Sequence, residues 1–362
     1  MDLKGFKHKL NEAELAFQEQ VPLVTLTTFK IGGPADILLD IKQKDQLITV
    51  LKAAKEFLVP VTILGWGSNI LISDSGIRGV VIRLKTNGIR TLSANKRPET
   101  FALQEEMESA QKEARLIQAE PDTYYSFADL DYDETDKPQI QVEIDSGVSL
   151  QYAINYLIDK GITGLQWFSG IPGTIGGAIY NNIHGGKHFL FEYLAAVEVV
   201  DLTGKNYQIN AAEIESGYDY SRFHTSQEII LSGTFNLYLG DKGRAKATSI
   251  EWARRKKLQP RNSAGCTFQN LTVEQSKALN FKSNGFGYVI DKILKLKGKQ
   301  IGGAKISEKH AAFIENSGNA NAKDVLQLIR LINKASLEKI GIKPKLEIFL
   351  LGFSPKEIKD LI

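Results

Sequence analysis

The stretch Val59-Pro60-Val61-Thr62-Ile63-Leu64-Gly65-Trp66-Gly67-Ser68-Asn69-Ile70-Leu71-Ile72 leads from one strand-like segment through a glycine-rich loop into another. Before it, residues 35–58 show a strand pattern followed by apolar residues at three- and four-residue spacings, which completes a predicted β-α-β unit. A dinucleotide-binding loop of the Rossmann type needs a helix directly behind its glycines. Because strand-forming residues follow this loop, the sequence excludes that interpretation of its glycines.

The rest of the chain mixes short strands with helices. The pattern predicts strands at 79–84 and 140–144, a helix over 150–159 closed by Gly161, several short strands over 196–239, and a helix over about 246–257 that ends at Pro260. The last helix begins at Asn321, which can cap together with Asp324, and a strand over 346–351 closes the chain. These elements predict the α+β fold class.

The composition is that of a globular protein. The chain has 362 residues, of which 24% are charged and 43% hydrophobic, enough for two to three domains of ~150 residues. No apolar run approaches the ~20 residues of a membrane span, and residues 1–9 lack the apolar stretch of a secretory signal, so we expect a cytoplasmic protein without membrane insertion. With Cys266 as its single cysteine, the chain cannot form an intrachain disulfide or a thiolate metal cluster.

Charge is unevenly distributed along the chain. The net charge is +3, but residues 99–137 carry −9 and the remainder +12. We interpret residues from about 93 to 139, which include a predicted helix over 103–116, as an acidic surface insertion. A basic remainder suits an anionic small-molecule ligand; without a basic stripe it does not indicate a nucleic-acid partner.

A second glycine-rich loop, SGIPGTIGGA at 169–178, lies about one hundred residues after the first. Glycines allow backbone amides to approach a phosphate closely, and Ser68, Asn69 and Thr174 add side-chain donors. Either loop alone is more simply a tight turn. Two such loops in one chain favour a diphosphate-containing cofactor.

Five strings together carry a specific resemblance: TTFKIGGPAD (27–36), GWGSNIL (65–71), GIPGTIGGA (170–178), SAGCTF (263–268) and GGAKISEKHA (302–311). In their order, over about residues 27–352, they resemble the UDP-N-acetylenolpyruvoylglucosamine reductase family. The resemblance implies a two-part FAD-binding domain of the PCMH or vanillyl-alcohol-oxidase type over 1–240, with the acidic insertion inside it. A smaller α+β substrate-binding domain over 245–345 follows, and a strand and tail over 346–362 return to the FAD domain.

The resemblance implies an NADPH-dependent flavoenzyme of peptidoglycan precursor synthesis, with FAD bound non-covalently and NADPH as co-substrate. It would reduce the enolpyruvyl ether of a UDP-sugar to the lactyl ether of UDP-N-acetylmuramate, by hydride transfer to C3 and protonation at C2. We expect a monomer. The FAD-binding residues implied are Gly65, Gly67, Ser68, Asn69, Gly170, Ile171, Pro172, Gly173, Thr174, Gly176 and Gly177.

Two residues are implied as catalytic by their place in the family pattern. Cys266 stands where the family usually has a serine proton donor, and a thiol with its ordinary pKa of ~8.5 is mostly protonated at neutral pH. Taken alone, a single cysteine is more often a small buried hydrophobe. Glu347 matches the glutamate that helps to stabilise or protonate the enolate-like intermediate; outside the resemblance it would be a solvated charge.

The match departs from the family at a third position. Asp219 of YDYSRF (218–223) stands where the family has an arginine that polarises the substrate carboxylate. Either Arg222 or another cation must then take that role. The continuation after Gly176 also departs, since NIHGGK (182–187) replaces the family's tyrosine-containing string. Lys257 and Asn270 are implied as contacts to the nucleotide sugar, although a basic helix end would explain the lysine equally well.

Two other functions are left open by the residues. A flavin oxidoreductase of the same FAD domain acting on another substrate would explain residues 27–240, but not the strings at 263–268 and 302–311. A catalytically silent nucleotide-binding paralogue is the second alternative, given the departures at Asp219 and Cys266. The spacing of His184 and His188 is helical, but the two glycines between them argue against a helix and hence against a metal site.

Overall fold

The computed structural model describes residues 1–93 and 128–361. Its helices and strands divide between two compact units, each discontinuous in sequence. The first comprises Met1–Phe17, Leu39–Gly65 and the described part of Ile82–Leu258, and the second comprises Gln18–Leu38, Trp66–Val81 and Gln259 onward. The helix predicted over 103–116 lies outside the described residues.

The helices and strands mix throughout the described chain, as the α+β prediction requires. The helices are α1 (Leu3–Glu12), α2 (Lys44–Glu56), α3 (Leu150–Asp159), α4 (Ile175–Asn181), α5 (Lys242–Lys256), α6 (Val273–Ala278), α7 (Phe286–Tyr288), α8 (Ala322–Ile340) and α9 (Pro355–Ile358). The strands are β1 (Gln18–Pro22), β2 (Pro34–Ile41), β3 (Val61–Ile63), β4 (Ile70–Ile72), β5 (Ile77–Leu84), β6 (Ile89–Ser93), β7 (Gln139–Asp145), β8 (Ile162–Thr163), β9 (His184–Gly185), β10 (His188–Phe189), β11 (Leu194–Val200), β12 (Asn206–Asn210), β13 (Ser216–Gly217), β14 (Tyr220–Ser221), β15 (Ile229–Leu239), β16 (Ser263–Cys266), β17 (Gln300–Ile301), β18 (Ala304–Ile306), β19 (Phe313–Asn316) and β20 (Phe349–Leu351).

The predicted β-α-β unit forms as β2, α2 and β3, and these strands belong to a sheet of order β1-β2-β5-β3. The loop at 65–69 leads into β4 and then β5, so no helix follows its glycines. This confirms the exclusion of a Rossmann loop.

The first unit is built on an antiparallel sheet of order β12-β11-β15-β7-β6, with β8 paired to β15. The predicted helix α3 has the expected bounds, because Ser149 caps its N-terminus and Gly161 follows it at φ +74°. Alternating strand residues and the apolar stripes of α3 and α4 form one buried core, which includes Val142, Ile154 and Ile179.

The described end of the acidic segment is anchored to the first unit. Asp129 forms a bidentate ion pair with Arg255 at 2.7 and 2.6 Å. Asp131 pairs with His188 at 2.9 Å and also with Lys187. Glu134 is only 7% exposed, and the Thr163 hydroxyl donates to it at 2.7 Å. This end of the predicted surface insertion is therefore partly built into the core.

The second unit contains an antiparallel sheet of order β16-β19-β18-β17 and a parallel pair formed by β20 and β4. Helix α8 begins with the predicted capping box, in which the Asn321 side chain accepts from the N–H of Asp324 at 2.9 Å. One face of α8 is fully buried: Val325, Leu328, Ile329 and Ile332 have no exposed surface.

Two predicted boundaries were wrong. Helix α5 begins at Lys242, four residues earlier than predicted, because the Asp241 side chain caps it by accepting from the N–H of Arg244 at 3.0 Å. The closing strand is Phe349–Leu351 and not 346–351, since Leu346 instead bridges to Phe268. Within the described residues, no helix combines the length and apolarity of a membrane span.

Candidate active site

Strand β16 carries Cys266 as its last residue. It pairs antiparallel with β19, and Cys266 lies opposite Phe313. The register shifts between Ser263 and Cys266, where Gly265 adopts φ +81°. The Cys266 side chain is half-buried. The bulge sets the direction of this thiol at the strand end, the kind of position where bulges commonly orient functional side chains.

Glu347 lies beside the same segment. Its backbone N–H donates to the carbonyl of Thr267 at 3.0 Å, and the N–H of Gln269 donates to the carbonyl of Lys345 at 2.9 Å. Together with the Phe268–Leu346 bridge, these bonds make 345–347 an antiparallel neighbour of 267–269. The structure therefore pairs the segment that ends at Glu347 with the segment that follows Cys266, although the two implied catalytic residues are 81 positions apart in sequence.

The end of the first glycine loop joins this pair. The Asn69 side-chain amide donates to the carbonyl of Glu347 at 3.2 Å, and the N–H of Phe349 donates to the carbonyl of Asn69 at 3.0 Å. The parallel pairing of β4 with β20 continues the contact. Asn69, an implied FAD-binding residue, is therefore fixed directly to the segment that carries Glu347.

Thr28 links the loop to the cysteine strand, a role that we did not predict. Its hydroxyl donates to the carbonyl of Ser263 at 2.7 Å, and its N–H donates to the carbonyl of Gly67 at 3.1 Å. Thr28 lies in the string TTFKIGGPAD, so the only sequence signal for it was the resemblance.

Gly67 must be a glycine for steric reasons. Its φ is +61°, and a Cβ at this position would lie 2.5 Å from the carbonyl oxygen of Leu26. Gly65 has no such clash, because a Cβ there would meet only the Thr174 hydroxyl, at 3.3 Å. A glycine at 65 therefore keeps open the space beside Thr174.

The second glycine loop belongs to the first unit with Gly65. The N–H of Gly170 donates to the side chain of Gln151 at 2.8 Å, and Thr174 caps α4 by accepting from the N–H of Gly177 at 3.2 Å. A Cβ on Gly176 would overlap the Ser146 hydroxyl at 1.8 Å, so this glycine serves helix packing. In the same loop, Ile171 and Gly173 are half-buried and Pro172 is exposed.

The donors of these loops fit a diphosphate-containing cofactor such as FAD. Gly65, Gly170 and Gly173 keep backbone groups at least partly accessible to solvent, and Ser68 and Asn69 are half-buried polar side chains at the end of the first loop. The space that Gly65 leaves open beside the Thr174 hydroxyl gives these two residues room for a phosphate.

The string GGAKISEKHA at 302–311 is joined to β19, the partner of the strand that carries Cys266. A Cβ on Gly303 would lie 2.3 Å from the carbonyl oxygen of Gly318, and the N–H of Gly303 donates to Asp324 at 3.1 Å. The N–H of Ser307 donates to the carbonyl of Phe313, the partner of Cys266, at 2.9 Å. This string therefore holds β18 and β19 in register with β16.

Arg222, the predicted cation, lies in the first unit and is already paired. Its guanidinium donates to Glu228 at 2.7 Å, and the same carboxylate oxygen accepts from the Tyr207 hydroxyl at 2.7 Å. Asp219 adopts φ +48° in the turn of the β13–β14 hairpin, and its carboxylate lies 3.0 Å from Nδ1 of His184. The pairing of Asp219 with His184 was not predicted.

His184 and His188 lie in the strands β9 and β10 of a short hairpin, which confirms that no helix carries them. Each has its own carboxylate partner: Asp219 for His184, and Asp131 together with Glu192 for His188.

The two predicted substrate contacts lie in different units. Lys257 is exposed and follows the last residue of α5, where its N–H donates to the carbonyl of Ala253 at 3.1 Å. Asn270 is half-buried, and its side-chain oxygen accepts from the N–H of Phe286 at 3.0 Å. Asn270 thus has a structural role at the start of α7.

Two family models match the chain. The model for the C-terminal domain of UDP-N-acetylenolpyruvoylglucosamine reductase matches residues 257–351, which contain Cys266 and Glu347. The model described as an FAD binding domain matches 35–102 and 127–210, which contain both glycine loops. The expectation of an FAD-binding domain followed by a second domain is thereby confirmed as a fold class.

Whole-chain relatives agree with these matches. UDP-N-acetylenolpyruvoylglucosamine reductase of Caldanaerobacter subterraneus subsp. tengcongensis is 32% identical over 96% of both chains. The reductase of Clostridioides difficile is 32% identical over 91% of this chain and 92% of its own. The crystal structure of UDP-N-acetylenolpyruvylglucosamine reductase (MurB) from Thermus caldophilus superposes with a TM-score of 0.65 at 25% identity, over 93% of this chain and 98% of that one. This chain therefore belongs to the UDP-N-acetylenolpyruvoylglucosamine reductase family.

Proposed function

We propose that this chain is an NADPH- and FAD-dependent oxidoreductase of peptidoglycan precursor synthesis. It reduces the enolpyruvyl ether of UDP-N-acetylenolpyruvoylglucosamine to the lactyl ether of UDP-N-acetylmuramate. The observation that supports the proposal is the hydrogen bond from the N–H of Glu347 to the carbonyl of Thr267, which pairs the segment of Glu347 with the residue that follows Cys266.

The glycine loops hold FAD in this proposal. Backbone amides of the 65–69 and 170–177 loops, with the side chains of Ser68, Asn69 and Thr174, face the phosphates. FAD held by these loops would supply the hydride transfer from NADPH to C3 of the enolpyruvyl group. We place a phosphate of the cofactor beside Gly65 and the Thr174 hydroxyl, because Gly65 leaves space there.

Cys266 supplies the proton. Hydride addition at C3 leaves negative charge delocalised over C2 and the adjoining carboxylate, and the Cys266 thiol transfers its proton from Sγ to C2. The thiolate then recovers a proton from solvent. Glu347 acts on the same charge, by helping to stabilise or protonate the enolate-like intermediate.

The remaining groups bind the substrate. Lys257 is proposed to contact the nucleotide diphosphate, and Asn270 to contact the sugar through its side-chain amide. Arg222 is the first candidate for the substrate carboxylate. The proposal divides these roles between residues 1–240 for FAD and 245–345 for the substrate, with 346–362 supplying Glu347. Since NADPH and nucleotide sugars are cytoplasmic, the enzyme acts in the cytoplasm, and we propose that it does so as a monomer.

An anaerobic stopped-flow experiment on the FAD-loaded protein tests the function. NADPH is added first and the enolpyruvyl nucleotide sugar second, while the flavin absorbance is followed. We expect bleaching and then recovery of the absorbance. Bleaching without recovery would instead identify a flavin oxidoreductase for another substrate. A protein that cannot be loaded with FAD would be a silent nucleotide-binding paralogue.

A further inference from the structure

Glu134 is a buried carboxyl group that the function as argued so far does not use. It is 7% exposed, and both of its oxygens accept hydrogen bonds: Oε1 from the Thr163 hydroxyl at 2.7 Å, and Oε2 from Nε2 of Gln166 at 2.7 Å. Burying a carboxyl group costs free energy that hydrogen bonds must offset. The two bonds therefore persist as long as Glu134 stays buried, and they hold Gln166 in place.

Gln166 is itself fully buried and uses its whole side-chain amide. Its Oε1 accepts from the N–H of Gly164 at 2.6 Å, and its Nε2 donates to Tyr132 at 3.2 Å as well as to Glu134. Because the amide has two N–H donors and one oxygen, this set of partners permits a single orientation. Gln166 is thus fixed by its own segment and by residues 128–138, which we call the arm.

The orientation of Gln166 matters for the second glycine loop. The short 3₁₀ turn Gln166–Phe168 leads directly into this loop. The N–H of Ser169 donates to the carbonyl of Gln166 at 3.2 Å, and the N–H of Ile171 donates to the last carbonyl of the turn at 3.2 Å. These bonds connect the turn to the loop, so the position of Gln166 determines where the loop at 170–177 begins.

Helix α5 contacts the same end of the loop. A Cβ on Gly170 would lie 2.9 Å from Cα of Ala253, so the backbones of loop and helix approach closely. The hydroxyl oxygens of Ser169 and Ser249 lie 2.7 Å apart. The start of the glycine loop is therefore held between the turn and α5.

The arm is attached to α5 as well as to the turn. Asp129 forms its bidentate ion pair with Arg255. The Arg244 guanidinium lies over the Tyr132 ring, 3.8 Å from its centroid, and the same ring meets that of Trp167 edge to face at 4.7 Å. The arm thus joins the two elements that hold the start of the loop.

We infer that Glu134 is a positioning residue for the cofactor. Through Gln166 it holds the start of the loop at 170–177 in the conformation that binds FAD, so the affinity for FAD depends on the arm. A loop that already has its binding conformation loses less conformational entropy when the ligand binds. If that conformation is less populated, the apparent dissociation constant rises by the same factor. The inference rests on the proposed function, in which this loop binds FAD, and deepens it by giving the end of the acidic insertion a role.

Exchanging the two side chains tests the inference. Gln166→Glu alone sets two carboxyl groups opposite each other with no N–H between them, so the dissociation constant for FAD should rise about 10-fold or more. In Glu134→Gln/Gln166→Glu the amide and the carboxyl group change places, and both Thr163 and Gly164 keep an acceptor. The dissociation constant should then return to within threefold of the unaltered protein. Fluorescence titration with FAD measures it, and the inference is wrong if the single variant shows no rise or the exchange no recovery.

Hydrogen exchange separates positioning from a general loss of stability. In the FAD-free protein, the amides of 169–173 should exchange about 10-fold faster in Gln166→Glu and regain their protection in the exchange variant. The control is Ser336→Ala in the second unit, which removes a buried bond of 2.7 Å to the carbonyl of Ile342. It should lower the urea midpoint of unfolding and leave both other readouts within twofold. An equal rise in the FAD dissociation constant in this control would show that affinity merely follows stability.

Glu134→Asp serves if Gln166→Glu does not fold. It keeps the carboxyl group but shortens the side chain by one methylene, so it cannot reach Thr163 and Gln166 together. We expect the dissociation constant for FAD to rise about 5-fold, and an unchanged value would contradict the inference. If the unaltered protein binds no FAD, the proposed function fails, whereas FAD affinity that is indifferent to these substitutions overturns only the role of the arm.

Discussion

The backbone N–H of Glu347 donates to the carbonyl of Thr267 at 3.0 Å, so that Glu347 is paired with the residue that follows Cys266. The two segments are joined on both sides, by the Phe268–Leu346 bridge and by the bond from Asn69 to Glu347. A site carried on paired backbone segments keeps its geometry better than one carried on separate loops. This geometry is the basis of the first two predictions.

Removing the thiol should affect one half-reaction only. Cys266→Ala is expected to slow flavin reoxidation by the nucleotide sugar by 10²- to 10⁴-fold, the range of general acid catalysis, because C2 then lacks its proton source. Cys266→Ser should recover only part of the rate, because a hydroxyl can donate a proton but does so less readily than a thiol. Stopped-flow rates for both half-reactions provide the check. An equal loss in flavin reduction by NADPH would contradict the role of proton donor.

Glu347 can be tested without disturbing its backbone contacts. Glu347→Gln keeps the hydrogen bonds to Thr267 and Asn69, which involve main-chain atoms of Glu347. We expect kcat to fall by about 10- to 100-fold with little change in KM, since the lost interaction forms mainly in the transition state. Glu338→Gln on the exposed face of α8 is the matched control. A rise in KM at constant kcat would show that Glu347 serves substrate binding alone.

Gly67→Ala should destabilise the protein. At φ +61° the alanine is strained, and its Cβ would lie 2.5 Å from a carbonyl oxygen, so we expect a loss of about 1–3 kcal/mol in the free energy of unfolding. Gly217→Ala is the control, because a Cβ there meets no atom within 4 Å. The check is the urea midpoint of unfolding of both variants. Equal midpoints for Gly67→Ala and Gly217→Ala would refute the steric argument.

Gly65 allows a separate test of cofactor binding. Gly65→Val fills the space beside the Thr174 hydroxyl, so the dissociation constant for FAD should rise by at least 10-fold while the apoprotein keeps its unfolding midpoint. Fluorescence titration of apoprotein with FAD measures the affinity. Unchanged FAD affinity in this variant would place the cofactor elsewhere.

The pair of His188 and Asp131 should make stability depend on pH. Burial lowers the pKa of His188, but its bonds to Asp131 and Glu192 outweigh burial and raise the pKa above the ordinary value. Burial alone would raise the pKa of Asp131. The hydrogen bonds from His188 and Lys187 outweigh burial, so that the pKa of Asp131 is lowered from its ordinary value. The stabilisation from His188 is lost as pH rises above ~6.5, and that from Asp131 as pH falls below ~4.

His188→Gln should therefore destabilise the protein more at pH 5.5 than at pH 8.5. We expect a loss of about 1.5–3 kcal/mol at the lower pH, the range for hydrogen bonds to charged groups. Urea unfolding at the two pH values, with His8→Gln as reference, gives the comparison. If His188→Gln instead destabilised the protein more at pH 8.5 than at pH 5.5, His188 would be neutral in the folded protein.

Local signals predicted many of the elements. The bounds of α3 followed from its apolar stripe between Ser149 and Gly161, and the start of α8 followed from the capping pair Asn321 and Asp324. Such features depend on residues a few positions apart, and the sequence displays them directly. Helix α5 gave a poorer signal, since the residues that it buries include Ala245, Thr248 and Ser249, which are not strongly apolar.

The site depended on contacts that no local pattern contains. The roles of Glu347 and Cys266 were implied only by resemblance, and no local pattern predicted that their segments pair. The shortened final strand reflects the bridge from Leu346 to a distant phenylalanine. The Asp219 contact was missed because the carboxylate was considered only as a replacement for an arginine. Its partner His184 lies thirty-five residues earlier, in the string at 182–187, which also departs from the family pattern.

Strands β6 and β7 pair antiparallel, with Ser93 in register with Gln141, although forty-seven residues separate these positions in the chain. The sheet itself would accept a hairpin turn of a few residues at this point. Because the entropy of closing a loop grows only with the logarithm of its length, extra sequence inserted here costs little folding free energy. The edge of this sheet is thus a natural place for lineages of the family to gain or lose whole segments, and for an engineer to insert a reporter domain.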